Sequence, residues 1–198
     1  FMGKGAMPMS DPHCLFTMGL QARDYINLAI DEADLVIAVG YDLVEYAPEQ
    51  WNRNGNTRIV HIDFEPAEID QYYPVEVDVV ADIADALWQI NEELNNRFDS
   101  DGKLPLFDIG QRQRLRGLIH DDLNAEREDT AFPMKPQKIL CDVRDHMGAE
   151  DIVLSDVGAH KMWIARHYQC EEANTCLISN GFCSMGFALP GAMGAKYA

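Results

Sequence analysis

The stretch that decides the fold covers residues 152–195 and reads IVLSDVGAHKMWIARHYQCEEANTCLISNGFCSMGFALPGAMGA. It opens on Ile152-Val153-Leu154-Ser155, a short apolar run with the length and β-branched content of a buried strand. Asp156-Val157-Gly158 turns the chain, and residues 159–168 predict a helix, with Met162, Ala165 and His167/Tyr168 near helical spacing. A second buried run, 175–179, leads into Asn180-Gly181, a turn signal. Beyond it comes a helix almost without side chains, carrying Gly186, Ala188, Gly191, Ala192, Gly194 and Ala195. Glycine costs about 1 kcal/mol in a helix interior, so residues this small imply close approach of a sheet, a helix or a cofactor. Two strand–turn–helix units in tandem place ligands at the carboxyl ends of a parallel sheet.

Working outward, the first half repeats the alternation. Residues 23–33 predict a helix with Tyr25, Ile26, Leu28, Ala29 and Ala33 apolar; residues 35–39 follow as a fully apolar strand ending in Gly40. Residues 59–62 end in Asp63 and residues 77–80 end in Ala81-Asp82. Residues 83–94 then predict an amphipathic helix, with Leu87, Ile90 and Leu94 on one side. Such an order implies a parallel sheet covered on both faces. The fold class is therefore α/β: a partial Rossmann-like parallel sheet, then the start of a second α/β domain.

No glycine-rich phosphate loop follows any strand. Gly40-Tyr41-Asp42 and Asp63 sit where such sheets bind nucleotides and read as structural turns, with a dinucleotide open by topology. His61 reads as a core or inter-strand histidine. Trp51 reads as packing of a long loop, with a lid over a ligand as the other use.

Between the halves, residues 96–105 are polar and turn-rich. Residues 111–128 predict a helix with Leu115, Leu118, Ile119 and Leu123 at helical spacing and a solvated charged face. Pro136 suits the first turn of a helix over 137–146, which turns Ile139, Leu140 and Val143 inward. Residues 1–10 read as a loop leaving a strand upstream, so the chain is expected to be a fragment. Met2, Met7 and Met9 there read as adaptable packing rather than a soft-metal site.

A formal charge of −17 argues against nucleic acid and against an anionic membrane as partners. A hydrophobic fraction of 47% with three Trp is enough for a real core. No apolar run approaches a membrane span, and no basic stretch followed by an apolar core marks a signal peptide. Five cysteines without a C-x-x-C pair read as free thiols of a cytoplasmic protein, not as zinc or a disulfide framework.

The motif residues resemble a known family. Asp156-Val-Gly-Ala-His160-Lys-Met-Trp163-Ile-Ala-Arg166, with Ser179-Asn-Gly181 and Met185-Gly186-x-Ala-Leu-Pro190-x-Ala-x-Gly194-Ala, resembles the start of the pyrophosphate-binding domain of acetolactate synthases. Ala38-Val-Gly-Tyr-Asp42 and His61-Ile-Asp-x-x-Pro-Ala-Glu68-Ile resemble their central domain. The resemblance implies three parts: 1–97 as the C-terminal part of the central domain, 98–134 as a linker with a helix, and 135–198 as the N-terminal part of the thiamine-diphosphate domain.

It further implies an enzyme that decarboxylates pyruvate, a 2-oxo acid, and joins the product to a second pyruvate, as a homodimer or homotetramer. Gly158, Ala159 and His160 would lie against the diphosphate, and the backbone of Cys183 and Met185 against the aminopyrimidine. Magnesium would be held by a motif outside this chain, and the catalytic glutamate belongs to another domain, so this chain alone is expected to be inactive. Flavin-containing relatives carry an arginine-bearing stretch where Tyr41-Asp-Leu-Val-Glu-Tyr46 stands here. That departure resembles the catabolic branch and puts FAD in doubt. Another thiamine-dependent 2-oxo-acid decarboxylase or carboligase, and a non-catalytic nucleotide-binding module, stay open as alternatives.

Overall fold

A computed structural model describes residues 3–18, 25–44, 46–98 and 110–198, apart from the side chain of Tyr25. The expectations for Met2, Arg23, Asp24, Glu45 and the linker residues 99–105 lie outside the described residues. A short helix, α1 (Tyr25–Asp31), falls within the predicted 23–33. By packing, the described residues form two compact units: those of Phe1–Ile26 with Gly110–Ala198, and those of Asn27–Ile109.

The Asn27–Ile109 unit is built on a three-stranded parallel sheet, β1 (Leu35–Val39), β2 (Arg58–Asp63) and β3 (Val75–Val80), in that order. Two helices accompany it: α2 (Pro48–Trp51), which periodicity did not signal, and α3 (Ile83–Phe98). Partners run Val36↔Ile59 and Ala38↔His61 on one side, and His61↔Asp78 on the other. The central strand is the dry one, with Ile59 and Ile62 fully buried.

The expectation of a sheet covered on both faces needs correction. Ile37 is 59% exposed and Val77 49%, and Leu87, Ile90 and Leu94 of α3 are exposed rather than packed. Among the described residues β1 and β3 each have a strand neighbour on one side only. The parallel α/β class stands.

The second unit holds a two-stranded parallel sheet of β4 (Val153–Ser155) and β5 (Cys176–Ile178), joined by α6 (Ala159–His167). Before it come α4 (Gly110–Asn124) and α5 (Pro136–His146); after it comes α7 (Ala188–Tyr197). Pro136 occupies the first turn of α5, as expected. Helix α4 turns Leu115, Ile119 and Leu123 into the core. The Arg144 guanidinium lies 5.1 Å from the Tyr168 ring centre and donates to the Tyr168 hydroxyl at 2.8 Å. Helix α7 explains one of its glycines: a Cβ at Gly191 would come within 2.8 Å of Leu154 Cδ2 on β4. At Gly194 a Cβ would meet nothing.

The opening segment, read from sequence with the first half, packs in this second unit. Met9 N donates to the Cys170 carbonyl at 2.8 Å, and Arg116 donates to the carbonyls of Met9, Ser10 and Asp11.

Candidate functional site

Strands β4 and β5 run parallel, so their carboxyl ends open on the same side, each into a turn. The β4 turn needs glycine. Gly158 has φ +153°, and a Cβ there would fall 2.8 Å from Cε1 of His160. The imidazole therefore folds back against the turn at the start of α6, where N–H groups and the helix dipole favour an anion. Gly158, Ala159 and His160 are all exposed.

The β5 turn has two left-handed residues, Cys183 at φ +49° and Gly186 at φ +90°. A non-glycine residue in that region is uncommon and strained, and such strain gathers at functional turns. Contacts hold Cys183 in place. Its Sγ sits 3.2 Å from the Asn180 carbonyl, and Nζ of Lys161 donates to Sγ at 3.3 Å and to the Ser179 carbonyl at 2.7 Å. Met185, by contrast, stands 83% exposed.

Asp156 ties the two turns together. Its Oδ1 accepts from Val157 N at 2.7 Å and from Gly186 N at 2.8 Å, and its Oδ2 from Ala188 N at 3.1 Å. Helix α7 has Phe187 at its cap, which offers no side-chain acceptor; Asp156 supplies one from the neighbouring strand. These donors, Val157 first, then Ala188 and Gly186, hold the carboxyl below the usual carboxylate range.

Residues 1–90 match the family described as Thiamine pyrophosphate enzyme, central domain, and residues 156–198 match Thiamine pyrophosphate enzyme, C-terminal TPP binding domain. The chain belongs to the thiamine pyrophosphate enzymes. Its curated relatives include the acetolactate synthase of Bacillus subtilis (strain 168), 31% identical over 90% of this chain and 30% of that protein. The catabolic acetolactate synthase of Raoultella terrigena is 34% identical over 83% of this chain and 28% of its own length. Acetolactate synthase 2, chloroplastic, of Zea mays is 32% identical over all of this chain and 30% of its own. The chain thus spans under a third of each.

The second family match begins at Asp156 itself. The left-handed backbone at Cys183 makes the position one suited to glycine, and the cysteine there is held by its contacts to Lys161 and Asn180. Two contributors were missed from sequence: Asp156 as the tie and Lys161 as the support of Cys183. The signal for Asp156 was present, an acid directly after a buried strand and a following helix whose first residues carry no capping side chain. Lys161 gave none, because its partners lie on the other strand's turn.

At the ends of β1 and β2 the turns are closed by local contacts. Tyr41 donates its hydroxyl to the Tyr46 carbonyl at 2.5 Å and accepts from Trp51 Nε1 at 3.1 Å. Trp51 also meets the Tyr73 ring edge-on at 6.1 Å, and His61 Nδ1 bonds the Tyr73 hydroxyl at 2.9 Å. His61 is thus a satisfied core histidine and Trp51 is packing. Asp42 and Asp63 accept from the N–H groups of Val44 and Phe64, as turn residues do. Among the described residues, no group of three or more His, Cys, Asp or Glu is disposed to hold a metal ion, and no helix is long and apolar enough to cross a membrane.

Proposed function

We propose that the chain is part of a thiamine-diphosphate-dependent acetolactate synthase, the whole protein decarboxylating pyruvate and joining the product to a second pyruvate. The observation that carries it is the pair of strand-end turns drawn together by Asp156, supported by the acetolactate synthases among the relatives. Thiamine diphosphate would supply the carbon nucleophile; the residues of this chain would bind and orient it. Gly158, Ala159 and His160 would meet the diphosphate, and the backbone at Cys183 and Met185 the aminopyrimidine.

The carboxylate of Asp156 stands two residues from the proposed anion site, so a bare diphosphate would meet like charge. A divalent cation offsets that charge, and magnesium is the fitting one, held by residues other than these. We further propose a cytoplasmic homodimer or homotetramer, five free thiols being in keeping with a reducing compartment. We also propose sequence domains at 1–97, 98–134 and 135–198, although the described residues up to Ile26 pack with those of Gly110–Ala198. FAD is not part of the proposal: Tyr41 spends its hydroxyl on Tyr46 and Trp51, and Asp42 adds negative charge where a flavin diphosphate would lie.

The test is calorimetric titration of the full-length protein with thiamine diphosphate and magnesium, followed by an acetolactate assay on pyruvate. Saturable, magnesium-dependent binding and acetolactate formation are expected from a colourless preparation. Binding without acetolactate points to another 2-oxo-acid carboligase. Absence of binding overturns the reading, and a stoichiometric yellow flavin overturns the exclusion of FAD.

A further inference from the structure

One ammonium of the second unit meets no acid. Lys4 sits in the opening loop, which is fastened along residues 170–172. Met9 N donates to the Cys170 carbonyl, Cys170 N donates to Sδ of Met9 at 3.2 Å, and Ser10 Oγ donates to the Glu171 carboxylate. Gly5, at φ +79°, lets the loop lie close there, since a Cβ would stand 3.4 Å from Cβ of Cys170. The loop so held brings Lys4 to β5. There it lines a cavity of about 300 Å³ with Asn174, the residues of β5, Asn180 and Phe187.

Among the described residues, Nζ of Lys4 hydrogen-bonds only Sδ of Met9, at 3.7 Å, and forms no ion pair with a carboxylate. A thioether is a weak acceptor and brings no charge. The chain holds 33 acids against 16 lysines and arginines, so this ammonium does not lack an acid for want of acids to choose from. Burial pulls it below the ordinary lysine value, as happens to a cation whose charge is not offset. A charge taken from water and left unpaired is costly, and an anion brought to it lowers that cost.

The cavity adjoins the proposed cofactor turn. Asn180 follows β5 and Phe187 stands at the cap of α7, with Cys183 and Met185 between them in sequence. Its volume falls at the small end of ligand sites. Its polar residues are one cation and two asparagines, a set that favours a small anion with hydrogen-bonding oxygens over a cationic guest.

We propose that this cavity is a subsite for the carboxylate of a small 2-oxo acid, with Lys4 pairing the carboxylate and Asn174 and Asn180 bordering it. A 2-oxo acid is the guest only on the thiamine-dependent reading above; bound here, it would stand beside the turn given to the aminopyrimidine. Lys4 then selects for a charged substrate and takes no part in bond making.

The test is calorimetric titration of the full-length protein with oxamate, a pyruvate analogue that is not decarboxylated, with and without thiamine diphosphate and magnesium. Saturable binding is expected in both cases. Lys4→Met should weaken it about tenfold, the loss of one charge-assisted bond, and Lys4→Arg should stay near the parent. In the acetolactate assay the pyruvate concentration for half-maximal rate should rise by a like factor in Lys4→Met, while half-saturation by thiamine diphosphate holds. Equal oxamate affinity in parent and Lys4→Met overturns the subsite, and so does inorganic phosphate binding as tightly as oxamate. A matching rise in cofactor half-saturation gives Lys4 to the cofactor and overturns it too. Should Lys4→Met melt early, Lys4→Gln against Lys4→Arg decides, and equal affinity there overturns the subsite. Lys4-dependent oxamate binding in a protein that takes up no thiamine diphosphate leaves the carboxylate subsite standing and sinks only the thiamine reading.

Discussion

Two parallel sheets in this chain end their strands in opposite ways. After β1 the side chains turn inward: Tyr41 and Trp51 join Tyr73, just before β3, and His61, within β2, in satisfying one another's polar atoms, with Trp51, Tyr73 and His61 buried. After β4 the single carboxylate of Asp156 satisfies backbone N–H groups of the next turn and leaves Gly158, Ala159 and His160 exposed. The same βαβ logic therefore yields a closed end and an open end. What separates them is where the hydrogen-bonding capacity goes. Aromatic side chains that bond each other close the one end; a carboxylate that reaches the backbone of a second turn, rather than only its own as Asp42 and Asp63 do, marks the other.

The largest expected effect breaks the closed end. Trp51 is 4% exposed, and Trp51→Ala should remove about 3–5 kcal/mol of stability, the usual range for emptying a buried aromatic site. Urea unfolding of the full-length protein reads this, and a loss under about 1 kcal/mol means the cluster is not structural. Affinity for thiamine diphosphate in the folded variant should stay near the parent's.

Breaking the open end should do the reverse. Asp156→Ala removes the acceptor of the N–H groups at Gly186 and Ala188, and the cofactor concentration for half-saturation should rise roughly 30-fold or more. Asp156→Asn, which keeps one acceptor oxygen, should lie between. Equal half-saturation in parent and Asp156→Ala, measured by titration of the full-length enzyme, rules out the tie as a determinant of the site.

A smaller change is expected from His160→Ala. Its ring lies against Gly158 but is exposed, so half-saturation should rise about tenfold, one charge-assisted hydrogen bond. The rate at saturating cofactor should fall much less. A collapse of that rate with unchanged half-saturation moves His160 to the substrate.

The smallest effect concerns acid. Asp11, Asp129 and Asp156 all have carboxyls held below the ordinary value, chiefly by backbone N–H donors from His13, Ala131 and Val157. All three lie in the unit with the open end. A depressed folded pKa stabilises above the unfolded value and loses that contribution as pH falls through the folded one. Below about pH 4, amides of β4, β5 and α6 should lose hydrogen-exchange protection before those of β2. The opposite order contradicts this division.

Local sequence determined the elements of this protein. Strands at β1, β2, β4 and β5 follow from apolar runs too short for helices, and α4 and α5 follow from Leu and Ile at helical spacing. The glycine at 158 and the helix opening at Ala159 were legible for the same reason, since a turn and a helix start depend on a few consecutive residues. The family was legible too, because its motif is a string of neighbours. Tertiary structure decided the remainder. That Asp156 reaches Gly186 and Ala188, and Lys161 reaches Cys183, depends on two strands lying side by side, a relation that spacing within either turn does not contain. The exposure of Ile37 and Val77 depends on each strand's place in the sheet, since an apolar run is the same whether it ends at the centre or at an edge. Burial is a property of what packs around a residue, and sequence periodicity reports only what the residue could bury.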